Sequence, residues 1–134
     1  MYHNVIIVGH LGGDPEMRYL TSGQPVTTFS VASSRRYTSQ SNEQVDETIW
    51  FRISVFGKQA ESCNAYLKKG SLVLIEGRLR PDAQTGGPRT FTRKDGTSGA
   101  SYEITANTVR FLSSRINDTD ESAIVSEDSD SIPF

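Results

Sequence analysis

A single cysteine, Cys63, stands among 134 residues. No disulfide can therefore close within the chain, no zinc site can be built from its own thiolates, and a reducing, intracellular setting fits. Histidine is almost as scarce: His3 lies near the start and His10 at the end of an apolar run, neither with partners at ligand spacing, so neither points to metal or catalysis. Long apolar stretches are missing too. Val5 to Val8 is four residues long and lacks a basic flank or a cleavage pattern, so it reads as a strand, not as a signal peptide or membrane span. No catalytic triad, phosphate-cradling glycine loop or paired carboxylates can be found in the sequence, so neither an enzyme nor a bound cofactor is expected.

What is present favours strands. Six Phe, five Tyr and one Trp are mixed with many Val, Ile, Thr and Ser. The length suits one folded domain with a real core. Apolar or alternating runs predict strands at Asn4 to Leu11, Pro25 to Ser34, Thr48 to Phe56, Ser71 to Arg80 (Val73, Ile75 and Leu79 on one face) and Tyr102 to Phe111. Polar residues from Thr38 to Glu47 predict a loop. Between the third and fourth strands Ala60, Cys63 and Leu67 fall at helical spacing, with Lys68 and Lys69 in the expected last turn and Gly70 as a left-handed cap. The Gly- and Pro-rich stretch from Pro81 to Ser101 holds Asp95-Gly96, a hairpin-turn signal. Three strands, a helix and two strands is the order of a five-stranded, all-β oligonucleotide-binding barrel.

The third strand carries the chemistry. Ile49, Phe51, Ile53 and Val55 point one way, while Thr48, Trp50, Arg52, Ser54 and Phe56 point the other. Two readings of the second face stand: core of a strand buried on both sides, or stacking platforms for unpaired bases with an arginine near phosphate. At about 3.3 Å per residue, Trp50 and Phe56 are roughly 20 Å apart, room for several bases. Aromatic and basic residues recur together at Arg35, Arg36 and Tyr37, and at Arg89, Phe91, Arg93 and Lys94; Arg18 beside Tyr19 extends the set. Any one such cluster is more often a solvated loop with incidental charge, but three around one barrel point to single-stranded nucleic acid.

The net charge of −2 conceals a division near Leu112. Residues 1–112 carry thirteen Lys and Arg against ten Asp and Glu, whereas residues 113–134 carry one Arg against six acids. A mildly basic body with an acidic tail fits a nucleic-acid binder. The tail lacks the apolar residues to form a core and is expected to be disordered. It nevertheless ends Asp130-Ser131-Ile132-Pro133-Phe134, two apolar groups on a stiff proline beside a carboxylate, an end suited to an apolar pocket rimmed by cations on another protein.

Several segments together resemble the bacterial single-stranded DNA-binding protein family. They are Asn4 to Gly9 with Leu11-Gly12, Asp14 to Tyr19, Thr48 to Arg52 with Phe56-Gly57-Lys58, Tyr66 to Gly70, Ile75 to Leu79, and the terminal Ile132-Pro133-Phe134. The resemblance implies a cytoplasmic, nucleoid-associated homotetramer of such barrels that wraps single-stranded DNA. It also implies recruitment of replication and repair proteins through the terminal residues Asp130, Ile132, Pro133 and Phe134. Trp50 and Phe56 occupy the positions of family base-stacking residues, and Tyr37 and Phe91 stand where the family often has tryptophan. Arg18, Arg35, Arg36, Arg52 and Arg93 are then the groups expected near phosphates. Two departures are visible: the tail is shorter than the usual linker, and its end reads Asp-Ser-Asp-Ser where consecutive acids are usual. Phe51 stands at a subunit contact where some relatives are polar. A small nuclease, a single-stranded RNA binder and an adaptor are the competing readings.

Overall fold

The computed structural model describes residues 1–112; the expectations for the tail and its tip lie outside the described residues. Seven strands and one helix follow in the order β1 (Val5–Leu11), β2 (Glu16–Tyr19), β3 (Pro25–Thr38), β4 (Gln44–Phe56), α1 (Lys58–Tyr66), β5 (Leu72–Leu79), β6 (Arg89–Thr92) and β7 (Ser98–Phe111). Five of them close into a barrel: β1 pairs β5, β5 pairs β7, β7 pairs β4, β4 pairs β3, and β3 returns to β1 through His10–Ala32 and Leu11–Val31. All these pairings are antiparallel except β4 with β7. Closure leaves none of the five strands as a free edge along its whole length, and β2 and β6 extend the surface as outliers on β3 and β7.

Alternation fills the inside. Ile7, Leu11, Phe29, Val31, Ile53, Val55, Val73, Ile75 and Ile104 form one buried cluster. Each such side chain contributes about 1.5 to 3 kcal/mol by leaving water. The helix closes one end of the barrel with Ala60 and Cys63, joined by Leu67 just beyond it, the three residues whose spacing predicts it. Thr27, itself fully buried, donates its hydroxyl to the Ala60 carbonyl oxygen at 2.6 Å and ties the helix to β3. Two close approaches require glycine: a Cβ at Gly9 would lie 2.2 Å from the Ala32 carbonyl oxygen, and one at Gly77 would lie 2.2 Å from that of Thr105. Gly77 sits at a register shift between β5 and β7, where the sheet bends.

The structure departs from the sequence expectations in several places. The polar segment from Thr38 to Glu47 is not a loop: cross-strand pairing runs out to Thr38–Gln44, and only a tight turn with Asn42 at φ 66° separates the strands. Ladder hydrogen bonds formed by the backbone override the missing hydrophobic period, because this arm stands clear of the barrel and has no buried face to advertise. The helix stops at Tyr66, with Leu67 extended, so Lys68 and Lys69 lie beyond it. Gly70 is left-handed at φ 91°, but within a separate turn in which the Ser71 amide donates to the Lys68 carbonyl. β2 and β6 are too short to show a period, and Leu79 is 45% exposed beyond the last β1–β5 pair, Val5–Gly77, while still paired with Ile104 of β7.

Candidate nucleic-acid interface

The register of β3 and β4 decides which side chains share a face. Trp50 lies opposite Ala32, Arg52 opposite Ser30, Ser54 opposite Thr28 and Phe56 opposite Val26, all on the outside of the barrel. Small residues on β3 leave the long side chains of β4 standing proud. Trp50 is 53% exposed, whereas Ser54 is buried and Phe56 half-buried. The two aromatics thus sit on the outer face with the exposed Arg52 and the small, covered Ser54 between them.

The indole rests on the loop after β1. A Cβ added to Gly12 would come within 2.4 Å of Cζ3 and 2.7 Å of Cη2 of Trp50, so glycine gives the ring a seat and leaves its remaining surface free. Two grooves meet at this ring. One, of about 310 Å³, lies between Trp50 with Arg52 and the loop of Gly12, Gly13 and Asp14. The other, of about 470 Å³, is lined by Trp50, Phe51 and Arg52 on one side and Arg89, Phe91 and Ser101 on the other. Arg52 borders both and has no ion-pair partner among the described residues. A cation with unused donors beside a half-exposed indole is suited to phosphate and base together.

Phe91 is held by the β6–β7 hairpin. Its ring packs where a Gly99 side chain would be, with Cζ 2.7 Å from the position of the missing Cβ. The Arg93 guanidinium lies 5.5 Å from the ring centroid and donates to the Ser98 carbonyl at 2.7 Å, so Arg93 braces the hairpin as well as charging it. At the turn Gly96 is left-handed, and the Asp95 carboxylate accepts from the amide and hydroxyl of Thr97. Those hydrogen bonds hold the Asp95 carboxyl below its usual range.

The remaining predicted residues are not gathered at Trp50. Register puts Arg36 and Asp46 on the Trp50 side of the β3–β4 arm, joined by a 2.7 Å ion pair, while Arg35, Tyr37 and Glu47 take the opposite side. The Arg35 guanidinium stacks 4.4 Å above the Tyr37 ring and lies 3.6 Å from Glu47. A third hollow, of about 460 Å³, is bordered by Ser34, Arg35, Arg36, Asp46 and Thr48. Arg18 is exposed on β2, opposite Val26 and thus one strand beyond Phe56.

Arg89 stands in the hairpin cluster but escaped assignment as a phosphate group, and Arg80 and Glu103 gave no signal. Glu103 lies across the parallel pairing from Arg52, buried on the outer face, where Arg80 and Arg89 both reach it. A pairing between strands so distant in sequence leaves no local mark. Among the described residues no group of three His, Cys, Asp or Glu is placed to hold a metal ion, and no helix is long and apolar enough to cross a membrane.

A closed five-stranded barrel with a helix between its third and fourth barrel strands, and with aromatic and arginine side chains on its outer face, is an oligonucleotide-binding type of barrel. The chain belongs to the single-strand binding protein family, whose model matches residues 2–112. It is 39% identical over 113 residues to the single-stranded DNA-binding protein of Neisseria meningitidis serogroup A, covering 84% of this chain and 61% of that one. To the single-stranded DNA-binding protein of Thermotoga maritima it is 36% identical over 131 residues, 95% of this chain and 88% of the relative. The chain thus spans about six-tenths of the length of some relatives and most of others. Among solved structures, the small single-stranded DNA-binding protein from Streptomyces coelicolor superimposes with a TM-score of 0.66 at 26% identity, over 81% of this chain and 93% of that one.

Proposed function

We propose that this protein binds single-stranded DNA without regard to sequence and catalyses nothing itself. The observation that carries the reading is the placement of Trp50: a half-exposed indole seated on Gly12, beside an unpaired Arg52, where two grooves meet. Every base has a π-face, so stacking on Trp50, Phe56, Tyr37 and Phe91 is tolerant of sequence, and Arg18, Arg35, Arg36, Arg52 and Arg93 supply charge for phosphates. Arg35 and Arg36 already hold Glu47 and Asp46, so their phosphate contacts would compete with surface ion pairs, which are weak and yield readily.

Residues 1–112 form the binding domain in this reading. The acidic segment 113–134 ends in the tip that captures replication and repair proteins through Asp130, Ile132, Pro133 and Phe134. Assembly as a homotetramer is supported by the outer face of β1, where Ile6 is 61% and Val8 45% exposed, an apolar pair that a lone barrel leaves in water. Family membership supports a place in the cytoplasm, on the nucleoid. Trp50 is the only tryptophan, so its fluorescence reports on the site alone. Adding oligo-dT at low salt should quench it, and Trp50→Ala should weaken binding by about 1 to 3 kcal/mol. An unquenched indole in the presence of excess oligo-dT would overturn the proposal.

A further inference from the structure

Beneath the groove between Trp50 and Phe91 lies a carboxylate. The Glu103 side chain is only 4% exposed. Its Oε1 accepts from Nη2 of Arg80 at 3.2 Å; its Oε2 accepts from the Ser101 hydroxyl at 2.8 Å and lies 3.8 Å from Nη1 of Arg89. Arg80 is held twice, since its backbone amide also donates to the Glu103 carbonyl at 2.7 Å. The two guanidinium-bearing side chains remain 48% and 60% exposed, and Arg89 lines the groove itself. Each guanidinium has five N–H donors, most of them left over after this engagement.

A fixed negative charge under a groove that takes up a polyanion opposes binding by Coulomb's law. Counted as charge alone, Glu103 is a defect. Its geometry says otherwise. An arginine loses rotamer freedom when it grips a phosphate, and that loss is smaller if a buried partner has already fixed the side chain. We propose that Glu103 is a positioning residue for single-stranded DNA: it holds Arg89 at the groove and Arg80 on its own other oxygen before the strand arrives. The inference rests on the function proposed above and adds to it the residue that orders the cations.

The test opposes two signs. Removing one negative charge tightens binding if charge is all that matters; removing a positioning group loosens it. Binding of labelled oligo-dT by the full-length protein is measured by polarisation at one fixed salt concentration. We expect Glu103→Gln to weaken binding about tenfold, the size set by ordering two arginine side chains at the moment of binding. In an Arg80→Ala/Arg89→Ala background the same substitution should no longer weaken it. Equal or tighter binding by Glu103→Gln, or an equal loss without the two arginines, overturns the assignment. Should thermal melting show that Glu103→Gln does not fold, Arg89→Lys decides, since it keeps the charge and loses the fork. A several-fold loss supports the positioning role; unchanged affinity refutes it. If the unaltered protein does not bind oligo-dT, it is the proposed function that fails, and the two failures are told apart.

Discussion

Replacing Gly12 by alanine adds one methyl group, and the structure states where it goes. Gly12 lies outside the left-handed region, so the backbone accepts alanine, and the new carbon meets the far edge of the Trp50 ring at 2.4 Å. Carbon atoms rest at about 3.5 to 4.0 Å, so the indole must withdraw by more than about 1 Å. A gap of that size forfeits roughly a quarter to a half of a contact's dispersion energy. Set against about 1 to 3 kcal/mol for a stacked base, the loss is about 0.3 to 1.5 kcal/mol, or about 1.5- to 12-fold in affinity. Gly13 provides the control, because a Cβ there meets nothing within 4 Å. Polarisation of labelled oligo-dT gives the affinity, and emission of the sole tryptophan reports independently that the ring has moved. Should Gly12→Ala shift the emission yet bind as tightly as Gly13→Ala, the indole is not a stacking platform and the reasoning fails.

On the outer face of β1, Val8→Asp places a charge on the exposed apolar pair and should convert the proposed tetramer into smaller species in native mass spectrometry; an unchanged mass would show that this face is not the contact. Burial pushes the Cys63 thiol up to about 11, and between its ordinary value of 9.0 and that point the folded state holds a proton the unfolded chain has released. Stability therefore falls as pH rises across this window, by an amount of order 2 to 3 kcal/mol that Cys63→Ala should not show in urea titrations. Equal pH slopes for the two proteins would contradict that burial.

Periodicity recorded the five barrel strands and the helix because each has one face in the core: Phe29 and Val31, Ile53 and Val55, Val73 and Ile75, Ala60 and Cys63 are buried at the spacing their elements dictate. The third barrel strand likewise declared its outward set, Trp50, Arg52 and Phe56, since alternation is a property of a single strand. The β3–β4 arm left no such record, because neither of its faces enters the core. Tertiary structure alone decided what lies beside what. The seat of Trp50 on Gly12, the division of Arg36 from Arg35 and Tyr37 between two sides of the arm, and the clasp of Arg80 and Arg89 on Glu103 all arise from register and closure between distant strands. A side chain's direction is local and can be read from its neighbours in the chain, but its partners are fixed only when the sheet closes on itself.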